Sequence, residues 1–556
     1  MISKLFTSKI NSITVAAVIV AAASLASRFL GIFRDRILAS EFGAGSTLDM
    51  YYAAFRVPDL IYNLLVLGAL SAGFIPVFAA LINHRSIIKK ITDKENNEAW
   101  LVANIALNIL GSLLIVTSLV LVIFAEPLTK LLAPGFDADA QLITVNLTRI
   151  MFLSPLFLGL SSVFGGVLQS FKRFFVYSLA PIIYNIGIII GALYFTPIWG
   201  VYGLAYGVVF GALMHLLIQV PTVFSLGWRW QPVFNWRNKY IRQIAIMMVP
   251  RTLSLAVMQV NLVVITIIAS TLAAGSLAVF NFANNLQSFP VGIFGISFAI
   301  AAFPTLSALA DDRGVLIKNF SKVLRQIIFF ILPATVLILT LRAQIIRVIL
   351  GAGAFDWQDT ILTINTLTYF CLSLFAQAII PLLVRMFYVQ KNSKTPFYVG
   401  LFAVVVNLGL SLYLPSIIAC GAANICQPLG VAGLALAFSI SMIINFALLW
   451  ILLKAEFGNL DEVRILMSTL KISLASIAAG ISIQAVKFLI EPLVNMTKFW
   501  GVLTQGFLAG SFGIIIFIIV CWLLKSEELL NFIRSIRSKF KREKIETDDV
   551  SEARGI

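Results

Sequence analysis

Residues 12–40 read SITVAAVIVAAASLASRFLGIFRDRILAS, an apolar run that carries Arg28, Arg34 and Asp35. A helix of about 20 apolar residues crosses the hydrocarbon core of a bilayer. A charge near the bilayer centre costs about 2.5–3.5 kcal/mol on insertion scales, so such a residue normally faces a watery cavity and marks a substrate path. This stretch therefore predicts a transport protein, and its excess of arginine predicts an anionic substrate.

The same apolar character extends along all 556 residues, of which 60% are hydrophobic and only 12% are charged. Mean hydropathy is +0.97, well above soluble-domain norms. The predicted fold class is an all-α polytopic membrane protein with about 14 transmembrane helices. The predicted spans lie near residues 12–40, 48–82, 99–125, 141–170, 175–195, 201–225, 241–272, 278–307, 323–350, 360–390, 396–416, 429–454, 467–490 and 499–524.

Lysine and arginine are distributed unevenly between alternate loops. They occur in the even-numbered connections and at both ends, whereas odd-numbered connections such as 41–47, 196–200 and 273–277 contain neither. Because cytoplasmic loops retain basic residues, both termini are predicted to be cytoplasmic. The net charge of +16 mostly reflects this asymmetry, so no nucleic-acid partner is predicted. The first run has features of a signal peptide, but it continues through Arg28 and is interpreted as an uncleaved span.

Short motifs recur in register along the chain. Ala44-Gly45-Ser46 recurs as Ala274-Gly275-Ser276, and residues 200–205 (GVYGLA) recur as 430–435 (GVAGLA), both at an offset of 230. Between them, Phe136-Asp137, Thr144 and Asn146 recur as Phe355-Asp356, Thr363 and Asn365 at an offset of 219. The common order of these matches indicates an internal duplication.

Each copy holds six predicted spans, so both copies have the same orientation in the membrane and form a parallel repeat. A site between two six-helix lobes, opened alternately to each side, is the expected mechanism. The predicted domains are an N-lobe over residues 1–228, a C-lobe over 229–456, spans thirteen and fourteen over 457–524, and a basic cytoplasmic tail over 525–556.

Polar residues share one face in each of the first two spans. These faces carry Ser24, Arg28, Gly31 and Asp35 in span one, and Asp49, Arg56, Asn63 and Ser71 in span two. Such stripes face each other or a cavity, because lipid cannot satisfy them. One alternative is that Arg28 and Arg34 merely pair with Asp35 and Asp49 as internal structural contacts. Cations outnumber anions at the deep positions, however, and a guanidinium suits phosphate oxygens bidentately.

Isolated cations lie in later spans, namely Arg149, Arg251 and Arg385. Arg251 follows Pro250 near a span end, where a long side chain can reach the interface or face the cavity. His215 is interpreted as a packed, hydrogen-bonded residue rather than a proton relay.

No nucleotide-binding loop, zinc-protease motif or Cys-x-x-Cys pair occurs, and two histidines cannot form a His-rich metal site. Neither an enzymatic activity nor a cofactor is predicted.

Four cysteines do not make a disulfide framework in a chain of this size. Cys371 and Cys521 lie in apolar spans and are interpreted as small core residues. Cys420 and Cys426 both fall in the predicted outer loop 417–428, where an oxidising compartment permits a bridge. The sequence leaves two alternatives for this pair, a disulfide or two unpaired thiols.

Several short motifs occur in an order and spacing that resemble one protein family. They are Ser27-Arg28-Phe29-Leu30-Gly31 with Arg34-Asp35, Phe42-Gly43-Ala44-Gly45 with Asp49, Phe55-Arg56-Val57-Pro58, Ala133-Pro134-Gly135-Phe136-Asp137, Leu147-Thr148-Arg149-Ile150-Met151-Phe152, Pro181-Ile182-Ile183-Tyr184-Asn185, Gly353-Ala354-Phe355-Asp356 and Lys394-Thr395-Pro396. Over about residues 10–455 the chain resembles the MurJ/MviN family of lipid II flippases.

The resemblance implies the multidrug/oligosaccharidyl-lipid/polysaccharide exporter fold, with fourteen helices in two lobes. It implies transfer of the undecaprenyl-diphosphate-linked peptidoglycan precursor across the bacterial cytoplasmic membrane, with spans thirteen and fourteen holding the lipid tail. The implied partners are lipid II, membrane lipids and cell-wall synthesis proteins. The candidate substrate-binding residues are Arg28, Arg34, Asp35, Asp49, Arg56 and Arg251, followed by Ser27, Asn63, Arg149, Asn285 and Arg385.

This chain departs from the family pattern in two places. Tyr62-Asn63 and Leu67 stand where many relatives have an arginine pair and a glutamate, and Asn284-Asn285 stands where relatives often have an Asp-Arg pair. Diphosphate binding must therefore use fewer or different cations, with Arg251 the expected substitute. A sodium site like that of some relatives is in doubt, because the matching stretch holds Asn407 and Ser411 rather than an acidic residue.

An excess of positive charge in the cavity also suggests a driving force. One charge moved through 100 mV is worth about 2.3 kcal/mol, so an inside-negative potential favours both outward movement of a diphosphate and inward return of the empty cationic site. Two alternatives stay open. One is export of another polyprenyl-diphosphate glycan or a solute, and the other is a non-transporting scaffold of the wall-building machinery.

Overall fold

A computed structural model describes residues 13–67, 73–87, 94–420 and 426–534. The predicted all-α class is confirmed: the described residues form helices and one short two-stranded hairpin. In the first half the α-helices are α1 (Ile13–Phe42), α2 (Ser46–Ile61), α3 (Ile75–Ile87), α4 (Lys94–Ile123), α5 (Ala125–Leu132), α6 (Ala138–Met151), α7 (Leu153–Ser170), α8 (Phe174–Ile190), α9 (Thr196–Trp199), α10 (Tyr202–Leu217), α11 (Val220–Ser225) and α12 (Lys239–Ser270).

The second half continues the same pattern of long apolar helices. It contains α13 (Ser276–Pro290), α14 (Ser297–Ala308), α15 (Arg313–Ile349), α16 (Trp357–Cys371), α17 (Leu374–Val389), α18 (Lys394–Tyr413), β1 (Ile418–Cys420), β2 (Cys426–Pro428), α19 (Val431–Phe457), α20 (Glu462–Ile490) and α21 (Phe499–Leu523). Residues 527–534 form a further helical segment.

Within the described residues, each predicted span coincides with one of these helices or with consecutive helices. Residue 12 of the first span and residues 68–72 of the second lie outside the described residues. Within the described residues, ten helices are long and apolar enough to cross a membrane, or eleven when α16 and α17, which are bent by 43°, count as one span. The chain is therefore a multi-pass membrane protein, while the number fourteen stays a prediction. The tail beyond residue 534 lies outside the described residues.

The sequence repeat is also visible in the helix boundaries. Helix α2 begins at Ser46 and α13 begins at Ser276, at the same offset of 230 as the Ala-Gly-Ser motif. Each helix runs into a π-helical segment, Tyr62–Leu67 in the first copy and Val291–Ile296 in the second. Wide turns of this kind are rare in helices and occur often at functional sites. Two copies of one unusual helix support the predicted duplication.

The chain divides into two compact units. The first comprises the described residues of Met1–Phe282, Ile349–Leu362 and Leu408–Leu434, and the second those of Ala283–Val348, Thr363–Asn407 and Ala435–Ile556.

The first unit has an aromatic core between α3, α4 and α7. Phe74 and Phe78 are stacked at 5.2 Å, and Trp100 stacks on Phe171 at 5.6 Å. In the second unit α20 packs along α21, and Leu341, Ile483 and Ala509 form a smaller buried cluster.

Much of the apolar surface of α20 and α21 is exposed rather than packed inside the chain. Phe488, Trp500 and Phe507 are 77%, 73% and 69% exposed. A helix that is apolar on the faces it leaves uncovered is suited to contact with lipid chains. This arrangement suits the predicted role of spans thirteen and fourteen, which stays a prediction.

Strands β1 and β2 form an antiparallel hairpin whose register opposes Cys420 to Cys426. The Leu429 N–H donates to the Ile417 carbonyl at 2.9 Å, so these two residues form a hydrogen-bonded pair. Hydrogen-bonded and non-hydrogen-bonded pairs alternate along an antiparallel ladder, and the cysteine pair, three positions further on, is therefore a non-hydrogen-bonded pair. Cα atoms of such pairs are about 4.5 Å apart, within the separation of about 4.4–6.8 Å that a disulfide spans. The backbone thus meets the spacing requirement of the bridge. Cys371 and Cys521 are buried free thiols, as predicted.

Candidate functional site

The polar face of α1 forms a hydrogen-bonded cluster around Arg34. The Arg34 guanidinium donates to Asp35 Oδ1 from Nη2 at 2.7 Å and from Nε at 3.1 Å, and to Asn185 Oδ1 from Nη1 at 3.1 Å. Asn185 lies on α8 and donates to Ser27 Oγ at 3.5 Å. Asp35 is only 4% exposed. Burial of a carboxylate in an apolar helix requires such a partner, so α1 and α8 hold this pair together.

Arg28 lies two turns before Asp35 on the same helix, and its environment differs. It is half-buried, and within the described residues it forms no hydrogen bond or ion pair. A guanidinium has five N–H donors, and Arg28 uses none of them on a partner within the described residues. Arg28 is therefore the cation of α1 that is best suited to bind an anionic ligand.

Asp49 was predicted to pair with the arginines of span one, but the structure places it elsewhere. Its two carboxylate oxygens accept from the backbone N–H groups of Gly275 at 2.6 Å and Ala278 at 2.8 Å. These groups lie at the start of α13, where helical N–H donors have no intrahelical acceptor and the helix dipole favours a negative charge. Asp49 is 3% exposed and acts as a cap for a helix 226 residues later.

A second carboxylate, which the sequence analysis missed, makes a similar contact. Asp359 of α16 accepts from the Ala44 N–H at 2.9 Å, just before α2 begins. The Ala-Gly-Ser motif of each copy therefore lies against a carboxylate, and this repeated motif was the available signal. Gly275 has a φ of +88°, and a Cβ there would lie 1.7 Å from the Ala44 carbonyl oxygen. The two motifs thus approach so closely that only glycine fits.

The polar face of α2 contacts α12. Arg56 Nε donates to Thr266 Oγ1 at 2.9 Å, and Thr252 Oγ1 donates to the Leu64 carbonyl at 3.3 Å. Asn63 donates to the Asp59 carbonyl one turn earlier at 2.8 Å. Residue 251 lies within α12, but its side chain is outside the described part of the structure, so its predicted compensating role stays a prediction.

Next to Arg34, the first unit contains a polar cavity of about 200 Å³. Its wall includes Arg34, Phe55, Asp59, Tyr62, Ser154 and Tyr184. Asp59 was missed by the sequence analysis, although it lies three residues after Arg56 and four before Asn63 on the polar face of α2. Tyr62 is the residue that departs from the family's arginine. Tyr62 therefore lies in the wall of a cavity that Pro58, Pro155 and Leu158 line together with these polar groups.

The remaining predicted residues lie in less distinctive surroundings. Arg149 is exposed and contacts Asn146 at 3.5 Å, and Arg385 Nη1 donates to the Pro381 carbonyl at 2.9 Å. Asn285 is half-buried, whereas Asn407 and Ser411 are buried. No group of three or more His, Cys, Asp or Glu side chains suited to a metal occurs among the described residues.

His215 lies with its Nδ1 2.7 Å from Ser161 Oγ, which also accepts from Gln219 at 2.6 Å. The prediction of a hydrogen-bonded histidine is confirmed.

A second group of buried charges, also missed by the sequence analysis, lies in the second unit. Arg325 of α15 is 5% exposed and pairs with Glu528 and, at 3.0 Å, with Glu527. Arg464 of α20 contacts Glu527 at 2.7 Å, and Ser526 Oγ donates to Glu528 at 2.8 Å. The pairs attach residues 526–528, just after α21, to two other helices. The Arg464 guanidinium, with help from Arg325, lowers the pKa of Glu527.

The fold matches solved membrane transporters. A structure of lipid II flippase MurJ in an inward closed conformation aligns with a TM-score of 0.72 at 24% identity, covering 91% of this chain and 98% of that one. An inward-facing MATE multidrug transporter of the MOP superfamily aligns with a TM-score of 0.64 at 17% identity, covering 78% and 96%. The protein therefore has the fold of a MOP-superfamily transporter.

The family described as "Lipid II flippase MurJ" matches residues 38–504, and the chain belongs to this family. A Thermotoga maritima protein named "Probable lipid II flippase MurJ" is 29% identical over 91% of this chain and 96% of its own length. A Burkholderia cenocepacia protein named "Lipid II flippase MurJ" is 27% identical over 78% and 82%. The family resemblance deduced from the motifs is confirmed.

Proposed function

We propose that this protein is a lipid II flippase that moves the undecaprenyl-diphosphate-linked peptidoglycan precursor from the inner to the outer leaflet by alternating access. The observation that carries the proposal is the family match over residues 38–504, which includes all of α2 and the end of α1. Arg28, Arg34 and Asp35 precede the matched residues. We also propose the bacterial cytoplasmic membrane as its location, with both termini cytoplasmic, and lipid II, membrane lipids and wall-synthesis proteins as its partners.

The chemistry of α1 and α2 supports a diphosphate ligand. Helices α1 and α2 carry the arginines Arg28, Arg34 and Arg56 together with the carboxylates of Asp35, Asp49 and Asp59. Arg34 uses three of its five N–H donors on Asp35 and Asn185. Arg28 contributes all the N–H donors of its guanidinium. Charge-assisted hydrogen bonds from a guanidinium to phosphate are roughly twice as strong as hydrogen bonds between neutral groups. A diphosphate would supply the opposite charge that Arg28 lacks within the described residues.

A guanidinium only donates hydrogen bonds, so Arg28 and Arg34 are suited to bind and release phosphate oxygens. Binding and release are what this arrangement can perform. Transport then requires only that the loaded and empty forms open on different sides of the membrane.

We propose membrane potential as the driving force. Outward movement of each negative charge through 100 mV, inside negative, is favoured by about 2.3 kcal/mol. The empty site, in which Arg28 has no carboxylate partner within the described residues, is driven inward by the same field. Such a cycle needs no coupled ion.

Reconstitution tests the activity and the driving force together. Purified protein in proteoliposomes should transfer lipid II between leaflets, measured by its accessibility to an added impermeant reagent. Imposing an inside-negative potassium diffusion potential should raise the rate, and replacing sodium by choline should leave it unchanged. Absence of transfer by well-folded protein contradicts the flippase assignment. A rate that depends on sodium but not on potential contradicts the driving force alone.

A further inference from the structure

The cavity beside Arg34 contains groups that recognition of phosphate does not use. Its volume is about 200 Å³, smaller than the roughly 300–1,000 Å³ of pockets for drug-sized ligands. Room for one ring-sized group is therefore available. The polar groups in the wall are the Arg34 guanidinium, the Asp59 carboxylate and the hydroxyls of Tyr62, Ser154 and Tyr184.

The charges in this wall already have partners. Arg34 is paired with Asp35, and Asp59 interacts electrostatically with Arg56. A charged ligand group placed here would lose its hydration without meeting an uncompensated opposite charge, which is unfavourable. The cavity is therefore suited to a neutral, polar group, in contrast to the surroundings of Arg28.

The types of side chain in the cavity wall further restrict the chemical class of the ligand. An ionised carboxylate only accepts hydrogen bonds, whereas the three hydroxyls both donate and accept, so a ligand carrying several hydroxyl groups satisfies all of them. Phe55 and Tyr62 supply large apolar ring faces next to these polar groups. A saturated ring with hydroxyls at its edge and C–H bonds on its face matches both features. Such a ring is a sugar.

We propose that this cavity is the subsite for the sugar attached to the diphosphate of the lipid-linked substrate, an inference that rests on the proposed function. Arg34 belongs both to the cavity wall and to the polar face of α1. Because the sugar is bonded directly to the diphosphate, a sugar subsite must adjoin the phosphate-binding cations. Asp59 and Tyr62 then distinguish the glycosylated lipid from its sugar-free form, a role that phosphate-binding arginines cannot perform.

Binding of two ligands separates this role from phosphate binding. Wild-type protein in nanodiscs is titrated with lipid II and with undecaprenyl diphosphate, and the affinity ratio is compared with that of Tyr62→Phe and Asp59→Asn. Tyr62→Phe removes one hydroxyl and keeps the ring, and Asp59→Asn keeps the shape. Tyr62→Phe should weaken lipid II binding about tenfold, the effect of an unmatched buried hydrogen bond, while undecaprenyl diphosphate binds within about twofold of wild type. For Asp59→Asn the expected tenfold change is in the ratio of the two affinities, because loss of the carboxylate also changes the charge beside Arg56. Tyr206→Phe, at an exposed tyrosine of α10, is the matched control and should change neither affinity.

The outcomes distinguish the subsite from the overall function. If both variants bind both lipids as wild type does, or lose both equally while their unfolding temperatures stay unchanged, the cavity does not recognise the sugar and the inference is wrong. If wild-type protein binds neither lipid, the proposed function itself fails. A selective loss for lipid II in both variants supports the subsite.

Discussion

Two groups of buried charges, one in each compact unit, differ in how completely their charges are paired. In the second unit Arg325 pairs with Glu527 and Glu528, and Glu527 also binds Arg464, so each charge has an opposite partner. In the first unit Arg34 is paired with Asp35, but Arg28 on the same helix has no partner within the described residues. In the group around Arg325 every charge thus has an opposite partner, whereas Arg28 has none within the described residues.

This difference separates structure from function. A matched ion-pair group stabilises the packing of the helices that supply it, and breaking it leaves a buried charge alone. An unmatched arginine costs free energy in the ligand-free protein and is retained where a ligand supplies the missing charge. The comparison therefore predicts that loss of Arg28 removes transport without loss of stability, and that loss of Arg325 does the reverse.

The largest expected effect is that of Arg28→Ala on transport. Removing the partner of a diphosphate oxygen should lower the flipping rate in proteoliposomes roughly 10- to 150-fold, since a charge-assisted hydrogen bond is worth about 1.5–3 kcal/mol. The unfolding temperature should not fall, because no protein contact is lost. Arg237→Ala, at an exposed arginine before α12, is the control and should transport normally. Normal transport by Arg28→Ala would assign that residue to structure.

Arg325→Ala should have the largest effect on stability. It leaves Glu528, which is 5% exposed, without its cation, and breaking a buried pair in this way costs about 3–5 kcal/mol. Thermal unfolding in detergent measures the change, and flipping per folded molecule should stay near wild type. Arg464→Ala removes the exposed cation of the same group and should cost less than about 1 kcal/mol. Equal losses in the two variants would contradict the distinction between buried and exposed members.

Asp49→Ala should have an intermediate effect on the stability of the protein. It leaves the N–H groups of Gly275 and Ala278 without their buried acceptor, which costs about 1–3 kcal/mol. Asp49→Asn keeps one acceptor oxygen and should lose roughly half as much. Comparison of the two unfolding temperatures with that of wild type tests this. If Asp49→Asn is as damaging as Asp49→Ala, the charge rather than the hydrogen bonds matters at this position.

The smallest expected effect concerns pH. The pKa of Glu527 is lowered from its ordinary value of 4.5, mainly by Arg464. A depressed carboxyl pKa adds stability above about pH 4.5 that is lost as pH falls through the folded-state pKa. The unfolding temperature of Glu527→Gln should therefore depend less steeply on pH below 4.5 than that of wild type.

A matched control for Glu527→Gln is available in α5. The pKa of Glu126 is also lowered, by Lys130, but both side chains are more than half exposed. Exposed pairs contribute little, so Glu126→Gln should keep the wild-type pH dependence. Equal slopes for all three proteins would show that Glu527 does not contribute to acid stability.

Sequence reasoning succeeded where the information was local. Apolar runs predicted the positions of the helices, because a bilayer or an apolar core requires about 20 such residues whatever their partners. The Ala-Gly-Ser repeat predicted a duplication that the starts of α2 and α13 reproduce at the same offset. Arg28 and Arg34 were identified because charges are rare in such runs.

Sequence reasoning failed where the partner of a side chain lies far away in the chain. Asp49 was assigned to the arginines of the neighbouring helix, but it caps a helix 226 residues later. Asp59 was overlooked, because one carboxylate beside Arg56 has no distinctive pattern until Tyr184 and Ser154 are brought to the same cavity. The pairing of Arg325 with Glu528 spans 203 residues and leaves no periodic signal.

The amino-acid sequence by itself determined that this is a multi-pass helical protein of the lipid II flippase family with arginines in its first two helices. Apolar length, charge within apolar runs and motif order are properties of the chain that hold before any folding. Only the tertiary structure decided which of those charges are matched. Whether Arg28 is left without a partner while Arg34 and Arg325 gain carboxylates depends on distances between helices, and these are fixed by packing rather than by spacing along the chain.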